Sequence, residues 1–172
     1  ISFGGRLNGE VSLKQNRNVF EPAASITVDT LRINKYALGD LNLQVTGDKS
    51  FRKFNVNGNI ARDGNETFST YGNIEVVNKQ TLLSLDAIFT NFDISPLTAF
   101  LKNIFPEIRG RASGRAAIVG NVRNPEVDGV LYVKGGGVKV GYLNTDYNFD
   151  ENSIVNLTED KIIFGSIGLT DT

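Results

Sequence analysis

The chain has 172 residues, with 18 Lys and Arg against 19 Asp and Glu, 18 Gly, 4 Pro, and neither His nor Cys. A near-neutral balance gives no basis for nucleic-acid binding, and the missing Cys excludes disulfides and thiolate metal sites and leaves the redox compartment unread. The missing His removes the commonest general base and the commonest metal ligand together.

No stretch approaches the roughly 20 apolar residues that a membrane-spanning helix needs. The chain opens on Ile1, with no start methionine, charged leader or apolar targeting segment, so it is expected to be a segment of a longer protein. So much Gly predicts many turns and few helices.

Taken in order, the apolar residues follow a period of two. Val11 and Leu13 alternate with Ser12 and Lys14, then Ile26 and Val28 flank Thr27, and Leu41, Leu43 and Val45 flank Asn42 and Gln44. Phe54, Val56 and Ile60 share a face opposite Asn55, Asn57 and Asn59, followed by Phe68, Ile74 and Val76 and by Leu83, Leu85 and Phe89. Short alternating runs bounded by Gly, Asn or Asp are the signal of strands with one greasy and one wet face, as in an antiparallel sheet.

Between Ser95 and Ile108 the period changes. Leu97, Phe100, Leu101 and Ile104 fall at helical spacing, with Ser95 suited to the N-cap, Pro96 to the first helical position, and Pro106 closing the segment. One short amphipathic helix is expected at about 96–104, dividing a first strand block (1–94) from a second (109–172) across a linking element (95–108). Its apolar face has to bury against the greasy face of the sheet.

The second block returns to alternation with Ala116 and Ile118, Leu131 and Val133, Val138 and Val140, Tyr147 and Phe149, and Ile162 and Phe164. It also repeats the first. Gly5-Arg6-Leu7-Asn8-Gly9-Glu10-Val11-Ser12-Leu13 recurs as Gly110-Arg111-Ala112-Ser113-Gly114-Arg115-Ala116-Ala117-Ile118, followed by Pro22 or Pro125 and then Gly39 or Gly141. A long repeat of this kind predicts strand units stacked in series, and so a surface or groove in place of a catalytic point.

The chemical motifs are weak by comparison. Asp146, Asn148 and Asp150 have calcium-loop spacing, but Glu151 stands where Gly is needed and Leu157 where a bidentate Glu is needed, so a strand with Tyr147 and Phe149 inward is the better reading. Gly135-Gly136-Gly137 with Lys139 lacks the ending of a phosphate loop and is expected to be a flexible turn. Arg109, Arg111 and Arg115 share parity, as a basic stripe or a solvated outer face would, and the outer face is favoured. Asp150-Glu151 and Glu159-Asp160 point to opposite strand faces and so do not form an acid–base pair. No catalytic residue, metal site or cofactor is expected, and the chain does not read as an enzyme.

From periodicity alone, the greasy stripe is best read as the core of an ordinary sandwich. A resemblance shifts that balance. Gly110-Arg-Ala-Ser-Gly114, Ile118-Val-Gly120, Asn124 to Leu131, Val138, Val140, Leu143, Tyr147, Ile162-Ile163-Phe164 and Leu169-Thr170-Asp171 resemble the repeat unit of the TamB family of translocation and assembly module proteins, within the AsmA-like superfamily. Gly5 to Leu13, Pro22, Leu31-Arg-Ile33 and Gly39-Asp-Leu41 follow the same style, and Phe92-Asp-Ile94 through Leu101 resembles the short helical element before a new repeat. The Asn-rich strands and Tyr147 are more similar to Bacteroidota members than to enterobacterial ones.

The resemblance implies an elongated, folded-over sheet (a β-taco) with an apolar interior, in a periplasmic protein anchored in the inner membrane and reaching the outer one. It implies phospholipid transport, with acyl chains as ligand and an outer-membrane barrel protein of the TamA type as partner through other regions. A scaffold role in assembling outer-membrane and surface proteins is the alternative it implies. A carbohydrate-binding solenoid ranks last, since there is no Trp and the aromatic residues mostly follow the greasy face.

The physics of transport fits such a trough. An acyl chain in water exposes methylenes at roughly 0.8 kcal/mol each, a barrier of about 12 kcal/mol that a continuous apolar path removes. About ten strands at roughly 4.8 Å would extend the path by some 50 Å. The expected lining is Leu43, Val45, Phe54, Val56, Phe68, Ile74, Leu83, Leu85, Phe89, Ile118, Leu131, Val133, Val140, Tyr147, Phe149, Ile162 and Phe164.

Overall fold

The structure, a computed structural model, describes residues 1–16, 19–103, 105–149, 153–158 and 161–165. Ile104, Asp150, Glu151, Glu159, Asp160 and the closing 169–171 lie outside the described residues, as does the side chain of Phe164.

The strands are β1 (Phe3–Asn16), β2 (Val19–Ile33), β3 (Tyr36–Gly47), β4 (Lys53–Arg62), β5 (Asn65–Val77), β6 (Gln80–Asp93), β7 (Glu107–Asn121), β8 (Asn124–Val140), β9 (Thr145–Asn148), β10 (Ser153–Thr158) and β11 (Lys161–Gly165). They form one 11-stranded sheet in the order β1-β2-β3-β4-β5-β6-β7-β8-β10-β11, with β9 also pairing to β8, and every pairing is antiparallel. β1 and β11 do not meet, so the sheet is open.

Turn chemistry sets the register. Asp63 and Gly64 (φ 53° and 78°) and Asn78 and Lys79 (φ 50° and 65°) make two-residue hairpins with both central residues at positive φ, the geometry that matches strand twist.

That register puts the alternation on one continuous face. The cross-strand row Val11, Ala24, Val45, Val56, Gly72, Leu85, Ile118 and Val127 runs from β1 to β8, and Leu131, Val155 and Phe164 pair in line from β8 to β11. The opposite face carries rows such as Gln44, Asn57, Tyr71 and Asp86.

Bulges cross this sheet near one end. The register shifts at Gly4/Arg6, Val28/Leu31, Ile60/Ala61, Phe89/Phe92 and Arg109/Arg111 fall on neighbouring strands at that end. Thr30, Asn91 and Gly135 take positive φ along the same line. Each bulge bends its strand, and together they crease the sheet.

Gly135 to Gly137 therefore form no turn. They lie inside the unbroken β8, with Gly135 at φ 56° and Gly136 and Gly137 buried under Phe149 and the Arg109 guanidinium. The repeat is matched at Gly5 and Gly110, both left-handed beside a bulge. It fails at its third glycine, because Gly39 is in β3 and Gly141 follows the end of β8.

The helical element is shorter than its sequence pattern. A 3-10 turn (Ser95–Leu97) leads into α1 (Thr98–Leu101). Ser95 is not the cap: it is already helical, and its backbone N–H donates to the Asp93 carboxylate at 3.0 Å. Of the expected apolar helix face, Leu101 packs inward while Leu97 and Phe100 stay exposed. Thr98 is buried instead, and its Oγ1 accepts from the Ile108 N–H at 3.0 Å. β6 and β7 pair directly across this insertion, so the helix lies on the sheet and seals no break.

The total accessible surface is 11240 Å². A compact 18.8 kDa monomer would expose roughly 8,300 Å² by the usual mass scaling. The excess is what an open sheet leaves in contact with solvent.

Candidate functional site

The inner face is an apolar trough. Of the expected lining, Leu43, Val45, Phe54, Val56, Phe68, Ile74, Leu83, Leu85, Phe89, Ile118, Leu131, Val133, Val140, Tyr147 and Ile162 share this face by register. Phe149 packs against the same inner clusters, and Phe164 stands opposite Val155 in the backbone pairing. Among the described residues, no Asp, Glu, Lys or Arg stands on this face between the bulge row and the far strand ends.

Most of the lining is half-buried, with Val56, Val133 and Val140 buried and Ile162 exposed. A sandwich core would hide these residues under a second sheet, and no second sheet is present among the described strands.

Aromatic packing marks the middle of the trough. Phe68, Phe89 and Phe92 form a triangle with ring centroids 5.2, 5.9 and 5.7 Å apart, tilted or edge-on, as aromatic quadrupoles prefer. Phe92 reaches this face because the bulge at Asn91 shifts its parity. Nearby, Thr70 Oγ1 is buried with no hydrogen-bond partner, the one such side-chain atom among the described residues.

At the creased end the helix roofs the trough. Ile94, Leu97, Leu101 and Phe105 lie over Ile108, Ala112, Leu131, Val133, Val138, Phe149, Val155, Leu157 and Ile162, enclosing an apolar cavity of about 100 Å³. The structure adds Ala112, Val138, Val155 and Leu157 to the expected lining. Val155 and Leu157 flank Asn156, so the same period-2 rule points to them, and Ala112 has the parity of Ile118.

The charged motifs stay outside the trough. Arg109 Nη2 donates to Asp146 Oδ1 at 2.7 Å and to Asn148 Oδ1, so the suspected calcium ligands on β9 are held by a guanidinium. Arg111 and Arg115 are exposed on the outer face, and Arg111 donates to the Asn91 carbonyl. No group of three or more Asp or Glu side chains among the described residues is placed to hold a metal ion. Among the described residues, no helix is long and apolar enough to cross a membrane.

In the β3–β4 loop the Asp48 carboxylate has a lowered pKa. The Ser50 hydroxyl, donating to the Asp48 carboxylate, holds its pKa below the ordinary 3.8, and the Lys53, Arg52 and Ser50 backbone N–H groups assist.

No family model matches this chain, and no curated protein or solved structure matches it either.

Proposed function

We propose that this chain is a segment of a hydrophobic conduit that carries phospholipid acyl chains between two membranes, in the manner of the TamB family that its repeat resembles. The observation that carries the reading is the trough itself. Among the described residues, one face is apolar and free of charge from the bulge row to the far strand ends across β1 to β11, and away from the helical roof it remains reachable because no second described sheet covers it.

A lipid tail laid along such a face exchanges water for methyl groups at each step. The headgroup keeps its water at the open side. In this reading the protein works in the periplasm, contributes no catalytic residue and needs no cofactor.

Native mass spectrometry of the gently purified protein, with lipid extraction alongside, tests this. Bound phospholipid that is lost in Leu131→Asp is the expected result. A lipid-free protein whose trough residues are all protected from solvent would overturn it.

One observation favours the second reading, a scaffold for proteins destined for the outer membrane. The outer edge of β1, 14 residues long, pairs with no described strand and offers its backbone groups to an extended client. Client protein co-purifying without lipid is the outcome that would favour it.

A further inference from the structure

The outer face holds a cavity of its own, and it is unlike the trough. It measures about 430 Å³ and lies over β3, β4 and β5. Two cross-strand rows build it: Asn42 opposite Asn59, and Gln44, Asn57 and Tyr71 in line.

Of these side chains only Asn59 is held by a partner, and the others stand exposed. Asn59 Nδ2 donates to Glu66 Oε2 at 3.0 Å, which fixes that amide and leaves its oxygen as a free acceptor. No described group bonds to the side-chain amides of Asn42, Gln44 or Asn57. Tyr71 is 49% exposed and so presents an aromatic surface beside them.

The chemistry of the lining narrows the ligand. It contains no Lys or Arg, so it has no charge for a phosphate or an acidic peptide. Its single carboxylate is already engaged with Asn59, which leaves no ligand set for a cation. No aliphatic side chain lines it, so an acyl chain would gain nothing there.

An amide offers a donor and an acceptor side by side, matching the paired donor and acceptor roles of neighbouring hydroxyls. A tyrosine ring covers the C–H face of a sugar while its edge stays wet. Strands spaced at roughly 4.8 Å repeat this arrangement in the direction of the rows.

We propose that the outer face of β3–β5 binds an uncharged saccharide chain, laid across the strands, with Asn42, Gln44, Asn57 and Asn59 contacting hydroxyls and Tyr71 stacking on a ring. The site is on the opposite side of the sheet from the trough and holds whether or not the trough carries lipid.

The test is an amide-resolved NMR titration of the purified protein with cellotetraose, maltotetraose and chitotetraose, each to about 10 mM, enough to saturate a site of ~1 mM affinity. At least one sugar should shift the side-chain amides of Asn42, Gln44 and Asn57 in a saturable way. Tyr71→Ala and Asn57→Ala should each weaken that binding by about tenfold, about 1.4 kcal/mol. Tyr132→Ala, which removes an equally exposed outer-face aromatic away from the cavity, should leave it unchanged. The proposal fails if none of the three sugars moves these amides, or if Tyr71→Ala and Tyr132→Ala weaken binding alike.

Discussion

Val11 on β1 and Ala116 on β7 hold the same place in the repeated motif, yet Val11 is 83% exposed and Ala116 is 5% exposed. Leu7 and its counterpart Ala112 differ in the same way, at 69% and 0%. Both motifs form a strand on the inner face, and both carry a left-handed glycine at a bulge. What differs is the company. β7 has β6 on one side, β8 on the other and the helical element leaning over its creased end, whereas among the described strands β1 has β2 alone. In an open sheet, burial is conferred by neighbours, and the motif adapts in size: Leu and Val where there is space, Ala where a helix comes close.

The contrast is broken most strongly by a charge. Val133→Asp, at a residue 2% exposed under the helical roof, should cost about 3–5 kcal/mol, because the charge has no partner there. Val11→Asp, the same change at the uncovered end, should stay within about 0.5 kcal/mol. Urea denaturation of both reads the difference, and equal losses would mean that β1 is covered in solution.

The glycines sharpen the comparison at smaller scale. A Cβ on Gly110 (φ 122°) would lie 2.7 Å from the Gly136 Cα, so Gly110→Ala should cost about 1–3 kcal/mol. On Gly5 (φ 137°) the contacts are as close, 2.6 Å to a Val28 methyl and 3.0 Å to the Asp29 carbonyl oxygen, but β1 pairs only with β2 among the described strands and can shift, so the loss should be smaller in the same assay.

Midway between the two regions, Thr70→Val should raise stability by about 1 kcal/mol, since it removes an unpaired hydroxyl from an apolar wall. No gain would mean that the Thr70 hydroxyl finds a water partner where it stands.

Least of all, acid should act on neither region but on the loop between β3 and β4. The Asp48 carboxylate has a lowered pKa in the fold, so its contribution is present above the ordinary value near 3.8 and is lost as pH falls through the lowered one. Hydrogen exchange at Ser50, Arg52 and Lys53 should rise over that acid range in the wild type and be flat in Asp48→Asn.

The strands and the shared face were legible because the pleat has a period of two, and the odd or even position of Leu43, Val56, Leu85 and Ile118 carries the information directly. Asp63-Gly64, a strong hairpin signal, also fixes a register. The bulges were not legible: they switch parity at Thr30 and Asn91, where no Gly advertises a left-handed backbone. Val133 and Val138 share the trough through a shift that reads from sequence as a glycine turn.

The helix was overcounted for a related reason. Leu97 and Phe100 keep helical spacing, but α1 ends at Leu101 before a full apolar face can form. The saccharide candidate depends on pairing across strands. Tyr71 looks unremarkable until the register sets it beside Asn57 and Gln44.

The order of the strands has a consequence for descent. From β1 to β8 each strand lies beside its predecessor in the chain, so nothing crosses the sheet and nothing must close. Duplicating a hairpin would add roughly 10 Å at two strand spacings while leaving the cross-section untouched. In such an architecture length is inherited separately from lining, and a lineage can lengthen its path without relearning how to line it.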